Sequence, residues 1–256
     1  MRIVGIVSAK GGVGKTTVAT NFSIALQKLG NSTVLIDCNF TTAHLGLFFN
    51  LFNVEKTLNT FLRGECDFND VIYKHYTGLS IIPSSIQLEE IAEVNIDDLK
   101  TKIKEKFSDS DFVVLDSAPG LGREAIMTIK LSDEIIVVAN PTVASIVDAV
   151  KVIRFVNLID PRKKVLGIVL NKIRNKKYEI PLEKIESFTG IPIIGRIPED
   201  DRFIETTNRR TPFLLLYPDG KISENFYQLA SFVSGMPYYK RKGVLNFLLN
   251  FFKRNL

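Results

Sequence analysis

The sequence is poor in cysteine and has no long hydrophobic run at its start. Its two cysteines, Cys38 and Cys66, are far apart and form no C-x-x-C pair, so neither a zinc site nor a metal-cluster carrier is indicated. We interpret them as free thiols in a reducing compartment. The apolar run from Ile3 to Val7 is too short for a signal peptide, and no cleavage site follows it. We therefore expect the protein to remain in the cytoplasm.

Acidic residues are missing from the C-terminal end. The chain has a formal net charge of +5, and residues 238–256 contain five basic side chains, namely Lys240, Arg241, Lys242, Lys253 and Arg254. The rest of the chain is therefore neutral overall. A neutral body argues against a nucleic-acid surface, so we expect nucleic acid not to be a partner. A basic end beside apolar residues is typical of contact with anionic lipid.

Apolar runs and helical stretches alternate along the 256 residues, whose 24% charged content is typical of a globular chain. This alternation is typical of βαβ units and a parallel sheet. Several runs are apolar throughout, as expected for strands covered by helices on both faces. We predict an α/β fold with a doubly wound, mostly parallel sheet of seven to eight strands flanked by helices.

The predicted strands lie near Ile3–Ser8, Thr33–Asp37, Ser80–Pro83, Phe112–Asp116, Glu134–Ala139, Val165–Leu170 and Ile193–Arg196. The predicted helices are Thr16–Leu29, Ile96–Phe107, Val143–Leu158 and Ile222–Val233. The composition changes near residues 235–237. We therefore predict one domain over residues 1–235 and a separate tail over residues 236–256.

A glycine-rich segment follows the first predicted strand and opens the first predicted helix. From Ser8 to Thr17 it reads SAKGGVGKTT, which is the context that a phosphate-binding loop requires, although Ala9 replaces the usual first glycine. Glycines let successive backbone N–H groups point at phosphate oxygens. Lys15 would neutralise phosphates and Thr16 would bind Mg²⁺. The predicted nucleotide-binding residues here are Lys10, Gly11, Gly12, Val13, Gly14, Lys15, Thr16 and Thr17.

The segment KGGVGKTT resembles the deviant Walker A loop of the MinD/ParA family, with Lys10 as the distinguishing residue. The resemblance implies a P-loop ATPase with ATP or ADP and Mg²⁺ as cofactors. It also implies a homodimer with ATP sandwiched at the interface. In that family the extra lysine reaches the phosphates bound by the other subunit, so Lys10 joins Lys15 as a candidate catalytic residue.

Two predicted strands end in aspartates that resemble the switch segments of this family. Asp116 ends an apolar strand before the loop Ser117 to Gly122, and Asp37 ends the second strand. With Thr16, these aspartates are the candidate Mg²⁺ ligands. Family members usually have an acid where this chain has Asn39, the third candidate catalytic residue. Because Asn carries no charge and takes no proton at neutral pH, we expect slow hydrolysis.

Three further matches to the family are short. Asn171 corresponds to the position whose amide reads the adenine edge, and the segment of Pro198, Glu199 and Asp200 resembles the loop beside the base. Asp148 lies where relatives contact regulators, although a solvated helix acid is an equal alternative. His44 is more readily explained as a structural residue than as a catalytic one.

The C-terminal tail combines an apolar face with basic flanks. In a helix, Asn246, Asn250 and Lys253 would form one narrow polar stripe. A helix of ten residues covers about 15 Å, so it could lie in the membrane interface but not cross it. The tail also resembles the targeting segment of MinD-type, membrane-associated ATPases. The predicted membrane contacts are Lys242, Val244, Leu245, Phe247, Leu248, Leu249, Phe251, Phe252, Lys253 and Arg254.

The leading hypothesis is an ATP-dependent dimerising switch that acts peripherally on the inner face of the cell membrane. It would position an unidentified activator or cargo protein, in cell division or another spatial process. One alternative is a ParA-type ATPase that partitions DNA through basic side chains. Another is a slow or non-hydrolysing ATP-binding regulatory protein, which the presence of Asn39 makes credible. The alternative to the membrane anchor is a terminal helix packed on the domain's own surface or at an oligomer contact.

Overall fold

The computed structural model describes residues 1–87 and 95–239. Within them, eight strands form one sheet in the order β3-β4-β2-β5-β1-β6-β7-β8, and only β3 runs antiparallel to its neighbour. The predicted α/β fold is therefore confirmed. The strands are β1 Arg2–Val7, β2 Thr33–Cys38, β3 Tyr73–Lys74, β4 Ser80–Ile82, β5 Phe112–Ser117, β6 Glu134–Ala139, β7 Lys164–Ile173 and β8 Ile193–Pro198.

Helices cover both faces of the sheet, as its apolar strands require. Helices α1, α8 and α9 pack on one face, and α3, α4, α5 and α6 pack on the other. The helices of the described residues are α1 Lys15–Lys28, α2 Leu58–Leu62, α3 Ile96–Lys106, α4 Arg123–Leu131, α5 Val143–Ile159, α6 Leu182–Thr189, α7 Arg202–Asn208, α8 Phe213–Leu216 and α9 Lys221–Ser234. Single 3₁₀ turns occur at Leu45–Phe49 and Phe68–Val71.

The parallel register places the functional ends of the strands at one edge of the sheet. The strand pair β2–β5 aligns Asp37 with Asp116, and β5 in turn pairs with the central strand β1. The loop from β1 to α1 emerges at this same edge, as do Asn171 near the end of β7 and Pro198 at the end of β8. Parallel strands thus bring together residues that lie far apart in the sequence.

All seven predicted strands and four predicted helices are present, with small differences at their ends. Ser8 and Pro83 lie just beyond their strands, and Leu29 caps α1 instead of belonging to it. The short elements β3, α2, α4, α6, α7 and α8 were not predicted. The predicted tail helix lies outside the described residues. Among the described helices, none is both long enough and apolar enough to cross a bilayer.

Candidate nucleotide-binding site

The loop between β1 and α1 has the backbone form of an anion cradle. Gly12 and Gly14 have φ angles of 77° and 96°, which glycine adopts at little cost. Gly14 is the N-cap of α1 and its carbonyl accepts from the Val18 N–H at 3.0 Å. The Ser8 hydroxyl donates to the Lys10 carbonyl at 2.8 Å and closes the start of the loop. The positive end of α1 therefore faces this cradle.

Asn171 supports the loop from behind. Its side-chain nitrogen donates to the Val13 carbonyl at 2.7 Å, and the residue is only 3% exposed. A Cβ atom added to Gly14 would lie 2.0 Å from the same nitrogen, so only glycine fits there. The side chain of Val13 is buried in the core. The amide of Asn171 keeps its oxygen and one N–H for other partners.

Asp116 and Asp37 are fully buried below the loop but have different hydrogen bonds. The two oxygens of Asp37 accept from the backbone N–H groups of Asn39 at 3.0 Å and Leu45 at 3.3 Å. Thr16 donates its hydroxyl to Asp116, whose Oδ1 atom has no hydrogen-bond partner among the described residues. An unpaired buried oxygen is costly, and a hard cation is one partner that satisfies it. The hydroxyl of Thr16 and the free oxygen of Asp116 therefore fit Mg²⁺.

Burial governs the charges of this cluster. It raises the pKa of Asp116 to about 6, although the Thr16 hydroxyl and the Lys15 charge oppose the shift. Burial, followed by the negative charge of Asp116, also raises the pKa of Asp37 well above its usual range. Burial lowers the pKa of Lys15, against the influence of Asp116. The two carboxylates thus destabilise each other's ionised forms, and a cation between them would relieve that repulsion.

Asn39 is held in a reciprocal contact with Thr42. The Asn39 amide nitrogen donates to the Thr42 carbonyl at 2.6 Å, and its oxygen accepts from the Thr42 N–H and hydroxyl at 3.2 and 3.1 Å. The neighbouring Thr41 hydroxyl donates to Glu124 of α4 at 2.7 Å. We define residues 37–44 as the first switch segment. Asn39 therefore fixes the shape of this segment as well as lining the cleft above it.

Lys10 does not point into the cleft of its own chain. Its ammonium forms an ion pair with Asp148 of α5 at 2.9 Å, and its side chain is 59% exposed. Lys151 contacts the other oxygen of Asp148 at 3.1 Å. The hydrogen bonds from Lys10 and Lys151, aided by their charges, lower the pKa of Asp148. Lys10, the distinguishing lysine of the loop, is thus paired with a residue of the neighbouring helix α5.

A cleft of about 800 Å³ lies over the loop. The predicted nucleotide-binding residues that line it are Gly11, Gly12, Gly14, Lys15, Thr16, Thr17, Asn171, Pro198, Glu199 and Asp200. Lys10 and Val13 lie outside this lining. The predicted Mg²⁺ ligands Asp37 and Asp116 are buried, with 0% and 1% exposure. His44 lines the rim and is exposed.

The carboxylates beside the predicted base are engaged by arginines. Glu199 pairs with Arg174, and Asp200 accepts two side-chain hydrogen bonds from Arg202, each 2.8 Å long. The hydrogen bonds from these arginines, aided by their charges, lower the pKa of both acids. A base in the cleft would therefore meet the backbone of this loop more readily than the two side chains.

The sequence predictions missed part of the cleft wall. Helix α7 contributes Phe203, Ile204, Thr207 and Asn208, and the 3₁₀ turn contributes Leu47 and Phe48. Ile204 is 64% exposed and lies on this wall. Its place directly after the Pro198–Asp200 loop is the sequence signal that could have revealed this wall. The two segments form an apolar surface suited to a planar base.

The glycine cradle at the first βα turn and the buried carboxylate of Asp116 on the adjacent strand β5 define a P-loop nucleotide-binding protein. Comparisons with known proteins support this assignment to the P-loop nucleotide-binding proteins. The AAA domain family model matches residues 1–168. An ATP-binding protein of Methanocaldococcus jannaschii is 31% identical over 235 residues, covering 92% of this chain and 88% of the relative.

Two solved structures indicate which P-loop nucleotide-binding proteins this chain is similar to. The septum site-determining protein MinD of Pyrococcus horikoshii, in complex with Mg-ADP, is 31% identical with a TM-score of 0.83, covering 91% of this chain and 95% of that chain. A chain of the MinC:MinD cell division protein complex of Aquifex aeolicus is 25% identical with a TM-score of 0.82, covering 94% and 99%.

This protein belongs to the MinD/ParA family of P-loop ATPases, as the sequence predicted. It is an ATPase of the MinD/ParA type. The Mg-ADP in the Pyrococcus structure confirms, at the level of the family, the predicted nucleotide and Mg²⁺ cofactors.

Proposed function

We propose that this protein is an ATP-dependent dimerising switch that attaches reversibly to a membrane and positions a partner protein there. The observation that carries the proposal is the placement of Lys10, which pairs with Asp148 and lies outside the cleft lining of its own chain. An exposed lysine on this loop is available to a nucleotide held by a second copy of the chain. Lys10 is 59% exposed in its ion pair with Asp148, so its ammonium can exchange this carboxylate for a phosphate at little cost.

The local chemistry supports ATP as the ligand that joins the copies. In the proposal, the backbone of residues 10–17 and the buried Lys15 bind the phosphates, and Thr16 and Asp116 hold Mg²⁺. Asp37 contributes charge, while its hydrogen bonds hold the start of the first switch segment. Bound Mg²⁺ neutralises charge that develops on the phosphates. The cleft wall on α7 takes the base, with Asn171 beside it.

Slow hydrolysis is part of the proposal. Asn39 is neutral, and its amide is already paired with Thr42. It can orient a water molecule through its remaining hydrogen-bonding capacity but cannot remove a proton. The ATP-bound dimer would therefore persist, which suits a switch whose output is a long residence on a surface.

The membrane part of the proposal is supported by the sequence of the tail, which from residue 240 onward lies outside the described residues. Apolar residues from Val244 to Phe252 are flanked by Lys242, Lys253 and Arg254. One short anchor binds lipid weakly, whereas two anchors in one dimer bind together through their effective concentration. Dimerisation would thereby keep the protein at the inner face of the cell membrane. The septum site-determining and MinC-bound relatives support cell division or spatial organisation as the process.

Liposome co-sedimentation tests this proposal. We expect the full chain to pellet with vesicles containing anionic lipid when ATP and Mg²⁺ are present, and much less with ADP. A chain that ends at Gly235 should stay in the supernatant with either nucleotide. Equal pelleting of the shortened chain would contradict the anchor, and retention on DNA instead would favour the ParA-type alternative.

A matched pair of substitutions separates anchoring from charge. Leu248→Asp introduces an acid on the predicted apolar face, and Asn250→Asp introduces the same acid on the predicted polar stripe. We expect the first variant to lose pelleting and the second to keep most of it. Equal losses in both variants would show that charge alone attaches the tail. Analytical ultracentrifugation with a non-cleavable ATP analogue should meanwhile show a dimer for both.

A further inference from the structure

The helix that lines the outer part of the cleft is held by an arginine at each end. At its N-terminal end, Arg202 pairs with Asp200 and stacks over Phe213 and Tyr217, at 5.4 and 5.0 Å from the ring centres. These partners all lie within the same stretch of chain. Just beyond its C-terminal end, Arg210 instead contacts a part of the chain that is 160 positions away.

The contacts of Arg210 join α7 to the segment that follows the first switch. Its Nη1 donates to the Asn50 side-chain oxygen at 3.1 Å, and its guanidinium lies 4.2 Å from the ring centre of Phe52. Asn50 caps the Leu45–Phe49 turn, and its N–H donates to Gly46 within that turn. Arg210 therefore connects the two segments whose side chains line the outer cleft.

The backbone at this contact is constrained on both sides. Arg210 and Asn50 have φ angles of 50° and 59°, in the left-handed region. Asn tolerates that region well, but Arg is uncommon there. Such conformations cost energy and persist when surrounding contacts hold them in place. The stacking on Phe52 and the hydrogen bond to Asn50 supply those contacts.

We propose that Arg210 is a positioning residue that sets the separation between α7 and the Leu45–Phe49 turn. This separation determines how tightly the cleft binds the base of a nucleotide. On one side the cleft is lined by Leu47 and Phe48, and on the other by Phe203 and Ile204. The phosphates are held elsewhere, by the loop at residues 10–17. Arg210 therefore acts on the nucleoside half of the ligand and leaves the triphosphate half unchanged.

The inference rests on the proposed binding of ATP in this cleft, and its test compares ATP with inorganic tripolyphosphate, which lacks the nucleoside. We expect Arg210→Asn to weaken ATP binding about five- to tenfold, because a cation–π contact and a hydrogen bond from a charged group are lost. Binding of tripolyphosphate should change less than about twofold. Asn retains tolerance of the left-handed backbone, so the substitution adds no strain.

A matched control lies at the adjacent position. Arg209→Asn removes the same charge from an exposed arginine whose partner is Glu205 within α7 itself, and it should leave both affinities unchanged. Phe52→Leu removes the ring but leaves the hydrogen bond to Asn50, so it should reproduce part of the effect of Arg210→Asn. In the double variant the losses should not add, because both substitutions break the same contact.

Three results would overturn the inference. Arg210→Asn could leave ATP binding unchanged, could weaken ATP and tripolyphosphate equally, or could act no differently from Arg209→Asn. The second result would mean that Arg210 only supports the fold, which thermal unfolding would show independently. Failure of the unsubstituted protein to bind ATP would instead refute the proposed function, and the role of Arg210 with it.

Discussion

The side chain of Asn39 both donates and accepts hydrogen bonds within the first switch segment. The donation to the Thr42 carbonyl, at 2.6 Å, is a contact that a carboxylate could not make. An aspartate there would place a negative charge against a carbonyl oxygen. The residue type at position 39 therefore affects two properties together: the shape of the loop and its chemistry.

Replacing Asn39 with Asp should separate these two properties. We expect Asn39→Asp to raise ATP turnover by at least about tenfold, because a carboxylate orients and activates water better than an amide. The lost hydrogen bond should cost about 1 kcal/mol and lower the Tm by about 2–4 °C. Phosphate release and thermal unfolding measure the two effects.

Asn39→Ala is the control for this substitution. It also loses the contacts with Thr42, but it supplies no charge, so we expect a lower Tm without faster turnover. A folded Asn39→Asp protein that turns over ATP no faster than the natural chain would refute the explanation of slow hydrolysis by Asn39.

Two neighbouring strands form the centre of the site, because the ends of β2 and β5 bring two buried carboxyl groups to adjacent positions in the sheet. Burial raises the pKa of Asp116 to about 6 from the ordinary 3.8, so the folded state favours the protonated form. The stability that this group contributes is complete below about pH 4 and is lost as the pH rises through 6. Without metal, the ends of these strands are thus less stable at neutral than at acidic pH.

Asp116→Asn removes this pH-dependent term while keeping the shape of the side chain. In EDTA and without nucleotide, we expect the variant to come within about 0.5 kcal/mol of the natural protein near pH 4. By pH 7.5 it should exceed the natural protein by on the order of 2–3 kcal/mol. Thermal and urea unfolding across this range provide the measurement.

An exposed acid serves as the comparison for Asp116. Asp109→Asn should change the free energy of unfolding by less than about 0.5 kcal/mol, because Asp109 lies on the surface. With ATP and Mg²⁺ added, the natural protein should gain stability and Asp116→Asn should gain little. A constant difference between Asp116→Asn and the natural protein from pH 4.5 to 7.5 would contradict the strained carboxylate.

The same elements show what the sequence could predict. The strand Phe112–Ser117 is buried throughout and begins with four apolar residues, because both faces of a parallel sheet are covered, and this apolar run is visible in the sequence. The two-residue strand Tyr73–Lys74 has no such pattern, since its pairing with β4 depends on tertiary contacts. Helix α7, with seven residues, is likewise too short for its periodicity to be recognised.

In the whole molecule, the phosphate-binding loop could be predicted from the sequence because its residues are consecutive. The contacts of Lys10 and Arg210 could not be predicted, because their partners lie far away in the chain. Lys10 and Asp148 meet only after β1 and α5 have packed into one domain. The contact of Arg210 with Asn50 likewise joins distant parts of the chain. No local pattern encodes such pairs, so the sequence indicated Lys10 and Asp148 separately but not their ion pair.

The ion pair of Lys10 with Asp148 opposes dimerisation in the proposed switch, because Lys10 must leave it to reach a second copy. We expect Asp148→Asn to lower the concentration of a non-cleavable ATP analogue needed for dimer formation, by up to about fivefold, since exposed ion pairs contribute about 0–1 kcal/mol. Sedimentation velocity at fixed protein concentration measures this shift. Lys151→Gln is the matched control, because it removes the other partner of Asp148 and leaves Lys10 paired. Unchanged or weaker dimerisation of Asp148→Asn would refute the restraint, whereas undiminished dimerisation of Lys10→Ala would refute the role of Lys10 itself.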